Sequence, residues 1–105
     1  YWKALAEMDT SYTVFVHILN AENKVVGQRD SLPGNGILPT TGWLPGEVIA
    51  DQYEVPIQPD VQPGQHVIGI GMYQAETGQR LPVINQEGQT VDDRMLLENK
   101  VEIKR

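Results

Sequence analysis

The sequence predicts an all-β fold: an antiparallel β-sandwich, immunoglobulin-like or jelly-roll-like, of seven to eight strands with one long ordered loop. Three observations predict it. Short runs rich in β-branched and aromatic residues recur along the whole chain. Turn chemistry separates them, from Asn20-Ala21-Glu22-Asn23 near the start to Glu87-Gly88-Gln89 near the end. No segment sustains the 3.6-residue apolar period of an amphipathic helix.

Tyr1 to Ala6 reads as the middle of a strand. Tyr12 to Leu19 is the clearest strand, and its two faces are both mostly apolar, which predicts a central position. Asn20 to Asn23 turns the chain, because Asn tolerates positive φ, and Lys24 to Arg29 returns as the second arm of a hairpin. From Asp30 to Gly46 the chain carries Pro33, Gly34, Gly36, Pro39, Gly42, Pro45 and Gly46, which oppose a ladder. Ile37, Leu38, Trp43 and Leu44 within it favour burial, so the segment reads as an ordered loop with its own packing.

Glu47 to Val55 is the next strand, with Ile49, Tyr53 and Val55 on one face beside Asp51. Pro56 to Gly64 makes a corner. In Gln65 to Tyr73, His66, Ile68, Ile70 and Met72 share one face, while Gly69 and Gly71 lie on the other with Val67 and Tyr73. Something must pack closely over those two glycines. Gln74 to Gln79 closes a hairpin onto Arg80 to Ile84. Leu96 to Lys104 is read as a last strand beside an early one, or alternatively Met95 to Lys100 as one helical turn.

With 105 residues the chain fits one domain spanning 1–105. It has no cysteine, so disulfides, thiolate metal sites and cysteine nucleophiles are excluded. The net charge of −6 and eight scattered Lys and Arg argue against a nucleic-acid partner and against an anionic membrane surface. The longest strongly apolar stretch, Val67 to Tyr73, is too short to span a bilayer. The chain opens without an initiator Met or a leader, as expected of a piece excised from a longer protein.

No catalytic signature is evident. Ser11 and Ser31 lie outside any nucleophile-elbow pattern, and no His or Cys spacing suggests zinc. Gly34-Asn35-Gly36 and Gly69-Ile70-Gly71 are too short for phosphate-binding loops. No cofactor and no catalytic residue is expected. The candidate ligand-binding residues are Trp43, Asp30, Asp51, His17 and Glu47.

Each candidate has two readings. Trp43 is either a flat platform for a sugar ring or a plug for one end of the sandwich. Asp30, Glu47 and Asp51 flank the loop. They either approach one another as oxygen ligands, as calcium would require, or cap backbone donors. His17 and His66 are either half-buried imidazoles held by hydrogen bonds or ligands and proton carriers.

One series of segments carries a resemblance. It comprises Tyr12 to Leu19, Gln28-Arg29-Asp30, Pro39-Thr40-Thr41-Gly42-Trp43-Leu44-Pro45-Gly46-Glu47 with Asp51, Pro63-Gly64, Ile70-Gly71-Met72-Tyr73 and Thr77-Gly78-Gln79-Arg80-Leu81. Together they resemble the C-terminal extracytoplasmic domain of bacterial multi-spanning membrane proteins related to the dolichyl-phosphate-mannose-protein mannosyltransferases. The similarity runs from Trp2 to Val101, and Trp-x-Pro-Gly-Glu with its downstream Asp is its most specific part. His66 departs from the tyrosine of the Pro-Gly-x-Tyr corner.

The resemblance implies that any glycosyltransferase chemistry belongs to the membrane-embedded part of the parent protein. This chain is then a non-catalytic accessory domain, attached to a membrane protein at the periplasmic or cell-surface side. Its expected partners are a glycan or protein acceptor, or the membrane-embedded part of its own protein. Two alternatives stand beside it: a stand-alone carbohydrate-binding module using Trp43 with Asp30, Asp51 and His17, and a structural or protein-interaction module meeting its partner along an edge strand.

Overall fold

The computed structural model describes residues 1–84, 87–97 and 100–103, except for the side chain of Asn35. Every ladder among these residues is antiparallel, and none of them is in an α-helix. Among the described residues no helix is long and apolar enough to cross a membrane.

A five-stranded sheet organises the molecule. Its centre is β2 (Thr13–Leu19), after the short β1 (Trp2–Lys3). β3 (Val25–Ser31) pairs with one side of β2, and β5 (Gly64–Tyr73) pairs with the other. The doubly apolar run therefore occupies the central position expected of it. In the turn between β2 and β3, the Asn20 side chain accepts from the Glu22 and Lys24 amides, both at 2.9 Å, and Asn23 takes φ +63°. The Asn content of the turn thus closes the hairpin chemically as well as conformationally.

The other expected strands are shorter or paired differently. Before β5 comes β4 (Val48–Ile49), which pairs with β1. The expected strand from Glu47 to Val55 ends there; beyond it Asp51 accepts from the Gly34 amide of the loop and from the Tyr53 hydroxyl. Ile49, Tyr53 and Val55 still pack against the core, as their shared parity predicts. At the other end, the segment from Tyr1 to Ala6 contributes only Trp2 and Lys3 to a strand.

After β5 the turn forms, with the Gln74 and Gly78 amides bonded at 2.9 and 2.7 Å, but the return arm pairs only around Arg80 and Leu81. Pro82 lacks the donor needed to continue. β6 (Val83–Ile84) pairs instead with β7 (Thr90–Asp92). The expected final strand divides into β8 (Met95–Leu96) and β9 (Val101–Ile103). Both pair with β5, not with an early strand. Asn85, Gln86, Glu98, Asn99, Lys104 and Arg105 lie outside the described residues. Parts of the polar stretch, the alternative helical turn and the expected last strand therefore fall there.

The two faces of the β2–β5 pair differ. On one, Val14, Val16 and Ile18 stand opposite Met72, Ile70 and Ile68. Ala4, Trp43 and Ile49 join Val14, Val16 and Met72 in the main core cluster. On the other, Phe15 and His17 stand opposite Gly71 and Gly69. A Cβ at Gly71 would overlap the Phe15 ring, so the close packing expected over these glycines comes from the neighbouring strand itself.

The loop starts after Ser31, because β3 continues one residue past Asp30. Two 3-10 turns, Pro33–Gly36 and Thr40–Gly42, order it. Thr40 is fully buried; its hydroxyl donates to the Thr10 carbonyl at 2.8 Å and accepts from the Tyr12 amide at 3.0 Å. Of the four apolar loop residues only Trp43 is buried, while Ile37 and Leu44 are largely exposed. Hydrogen bonds and one large ring hold the loop without the other side chains.

Candidate functional site

The five sequence candidates separate into two groups on opposite sides of the central sheet. Trp43 belongs to the core. It is 4% exposed, packs with Val14, Val16 and Met72, and donates its indole N–H to the Leu38 carbonyl at 3.0 Å. Its ring has no free face for a sugar and is packed into the core.

Glu47 and Asp51 hold the loop. Glu47 accepts the Leu44 amide through Oε1 at 2.9 Å, and its own amide donates to the Leu44 carbonyl at 2.9 Å. Pro45 and Gly46, the latter at φ +85°, fill the middle of this turn as a type II geometry requires. The Trp-x-Pro-Gly-Glu segment is thus a buried ring followed by a self-capped turn. Asp51 Oδ2 accepts the Gly34 amide at 3.1 Å and the Tyr53 hydroxyl at 2.5 Å. Burial, and then the hydrogen bond to Asp51, push the Tyr53 hydroxyl well above its usual pKa. The Trp2 indole N–H donates to the Tyr53 oxygen at 3.3 Å.

Asp30 lies across the sheet from these two carboxylates. The trio that calcium would require does not converge, because each carboxylate has different partners. Among the described residues no three His, Asp or Glu side chains group as metal ligands. The proposed combination of Trp43 with Asp30, Asp51 and His17 is also divided by the sheet, and parity explains why. Asp30 pairs with Phe15 and so shares its face, whereas Trp43 packs on the Val14 and Val16 face.

Asp30 and His17 are brought to the same face, and sequence reading missed the groups around them. Asp30 Oδ2 accepts the Tyr73 hydroxyl at 2.8 Å, and Oδ1 accepts the Gln28 side-chain amide at 2.8 Å. That hydrogen bond, more than burial, raises the Tyr73 pKa. The Phe15 ring centroid lies 4.8 Å from that of His17 and 6.4 Å from that of Tyr73. The Arg80 guanidinium covers Phe15, its Cζ 4.4 Å from the centroid, and Nη1 reaches Asp93 at 3.3 Å. Arg80 arrives because it bridges Tyr73 across the short return arm.

Burial lowers the pKa of His17; Asp30 opposes the shift, and Arg80 and Arg94 reinforce it. His17 is therefore neutral at neutral pH, as a hydrogen-bonding or packing group. His66 is different: Nδ1 donates to the Gly64 carbonyl at 3.0 Å, which fixes its tautomer and matches the structural reading. The missed residues carried one usable signal. Tyr73 has the parity of Gly71, so pairing Phe15 with Gly71 would have placed Tyr73 beside Asp30.

A concavity lies on the opposite, aliphatic face. A cleft of about 550 Å³ opens between Trp2, Tyr53 and the β9 edge, floored by Val16, Ile18, Ile68 and Ile70. It offers few polar groups for orienting a ligand. The Asp30 face instead presents a carboxylate, an amide, a phenol and a guanidinium around one ring, a set able to exchange hydrogen bonds with a polyhydroxylated ligand. No protein-family model, curated protein or solved structure matches the chain.

Proposed function

We propose that this chain is a non-catalytic accessory domain of a membrane glycosyltransferase-like protein. It lies outside the cytoplasm and recognises a glycan acceptor through the Asp30 face. In this reading the fold is a sandwich whose second layer is the β1–β4 ladder with the Trp43 loop, lying over Val14, Val16 and Met72. The packing of Ala4, Trp43 and Ile49 on those residues supports the layered arrangement.

One observation carries the recognition role. Asp30 and Gln28 from one strand, Tyr73 from a second and Arg80 from the adjoining hairpin arm meet on one face, where Asp30 accepts from Gln28 and Tyr73 and Arg80 lies over the Phe15 ring. Polar groups held by each other above a rigid sheet need little reordering on binding. A glycan is favoured over a protein acceptor because the face is small and polar, with its largest apolar ring already covered by Arg80. The sequence resemblance supplies the membrane context.

A glycan array probed with the chain, and then with Asp30→Ala and Tyr73→Phe, tests the role. Binding lost in Asp30→Ala and weakened in Tyr73→Phe is expected. An array without hits, or hits indifferent to both substitutions, would overturn it. The membrane context is tested separately by the coding sequence on either side of this segment, where the absence of hydrophobic spans would remove it.

A further inference from the structure

Gly69 and Gly71 leave a strip of β5 without side chains; the Phe15 ring covers Gly71, Leu96 and Leu19 cover Gly69, and the side chains of Arg80 and Arg94 reach its margin. Arg94 Cδ lies 3.9 Å from where a Cβ on Gly69 would stand, and Gly69 is the cross-strand partner of His17. Arg80 lies over Phe15, whose ring neighbours His17. Burial lowers the His17 pKa most; Asp30 opposes the shift, and the charges of Arg80 and Arg94 add to it.

Two cationic side chains on one face call for anions, and the chain has 14 Asp and Glu to offer. Little of that supply is used here. Among the described residues the only ion pair within 4 Å is Arg80–Asp93, made through a single nitrogen at 3.3 Å. Arg94 has no such partner among them. Asp30 shares the face but is engaged by the Tyr73 hydroxyl and the Gln28 amide. A guanidinium presents five donors in a planar fork that fits a carboxylate, so most of the donor capacity of this pair is left for a ligand.

We propose that the face takes an acidic sugar: a uronic-acid residue whose carboxylate sits between Arg80 and Arg94, with its hydroxyls directed to Asp30, Gln28 and Tyr73. This rests on the reading of the face as a glycan-recognition surface and adds the charge class of the glycan. A neutral sugar would exchange hydrogen bonds with Asp30 and Tyr73 but leave the two cations uncompensated. A uronic acid satisfies both halves of the face at once.

The test is a titration of the isotope-labelled chain, followed by NMR at low salt, with tetragalacturonate and with the same tetrasaccharide after carboxyl reduction. The acid should shift the amide resonances of Phe15 to His17 and of Gly69 to Gly71. The reduced sugar should bind at least about tenfold more weakly, as expected when one charge-assisted hydrogen-bond pair is lost. Arg94→Gln, on a chain whose spectrum shows it folded, should lower affinity for the acid by about the same factor. Added salt should weaken the acid more than the neutral sugar.

Equal binding of the two sugars at this face would overturn the acidic-ligand proposal and leave glycan recognition standing. So would undiminished binding of the acid by both Arg80→Gln and Arg94→Gln. If acetate at the same concentration moved the same resonances as far, the site would be a bare anion site and the sugar assignment would fall. Silence from both tetrasaccharides and from tetraglucuronate would overturn this proposal, and the recognition role would then stand or fall with the glycan array.

Discussion

The two faces of the β2–β5 pair are built from alternate residues of the same two strands, yet they pack in opposite ways. On the Val14 face, large aliphatic side chains oppose large aliphatic side chains, and Trp43 and Ile49 close over them. On the Phe15 face, large rings oppose glycine, and the ring of one strand lies over the bare backbone of the other. The first arrangement removes much apolar surface from water and tolerates imprecise fit. The second demands close fit and holds a polar rim in place above it. One strand parity thus supplies cohesion, and the other supplies shape and chemistry.

The largest test of that division is Trp43→Ala. Removing a ring that is 4% exposed should cost about 3–5 kcal/mol, from lost transfer energy and the cavity left behind. The urea midpoint measures it. In whatever fraction remains folded, the Asp30–Tyr73 contact should persist, because the sheet separates it from Trp43. A loss below about 0.5 kcal/mol, the level of an ordinary surface substitution, would show that Trp43 does not close the core.

A smaller effect is expected on the other face. Gly71→Ala sets a methyl against the Phe15 ring, and overpacking of this kind costs about 1–3 kcal/mol. Shrinking the ring in the same chain, with Phe15→Leu, should recover part of that loss, giving a coupling of about 0.5–3 kcal/mol in a double-mutant cycle. Strict additivity would mean that ring and glycine do not meet. The comparison then sharpens: Gly69, whose Cβ would find Leu96 and Leu19 at ordinary contact distance, should accept Ala far more readily than Gly71.

The glycine pair also shows what the sequence could and could not disclose. Its parity in the run from Gln65 to Tyr73 predicts that something covers it, and that prediction needs only the two-residue period of a strand. The central place of β2 and the Asn-rich turn after it are readable for the same reason, since both rest on local chemistry. Glu47 to Val55 is not readable, because its alternation is real but its hydrogen-bonding partners lie in a distant loop through Asp51. Trp43, Asp51 and Asp30 looked like one site because they border the same loop in sequence. Only the register of β3 on β2 reveals that Asp30 points to the far side. Arg80 and Arg94 carried no signal at all, since nothing local to either residue indicates that one will lie over Phe15 and the other reach Gly69.

His17 gives the smallest effect and the one most specific to the polar face. Its pKa is lowered in the fold, chiefly by burial, with Arg80 and Arg94 adding to the shift and Asp30 working against it. In the unfolded chain it titrates near the ordinary value of about 6.5. Above that pH both states hold a neutral imidazole and the residue contributes no pH dependence. As pH falls below it, the unfolded state takes up a proton that the folded state resists, so stability declines until pH passes the lower folded value. His17→Gln removes the titration while keeping a polar side chain. Its stability, measured by urea unfolding between pH 7.5 and about 5, should fall less steeply than that of the parent chain over this window. Parallel profiles for the two chains would mean that burial and the charges of Arg80 and Arg94 together leave His17 as free to protonate as it is in water. The polar face would then be no more than a solvated rim.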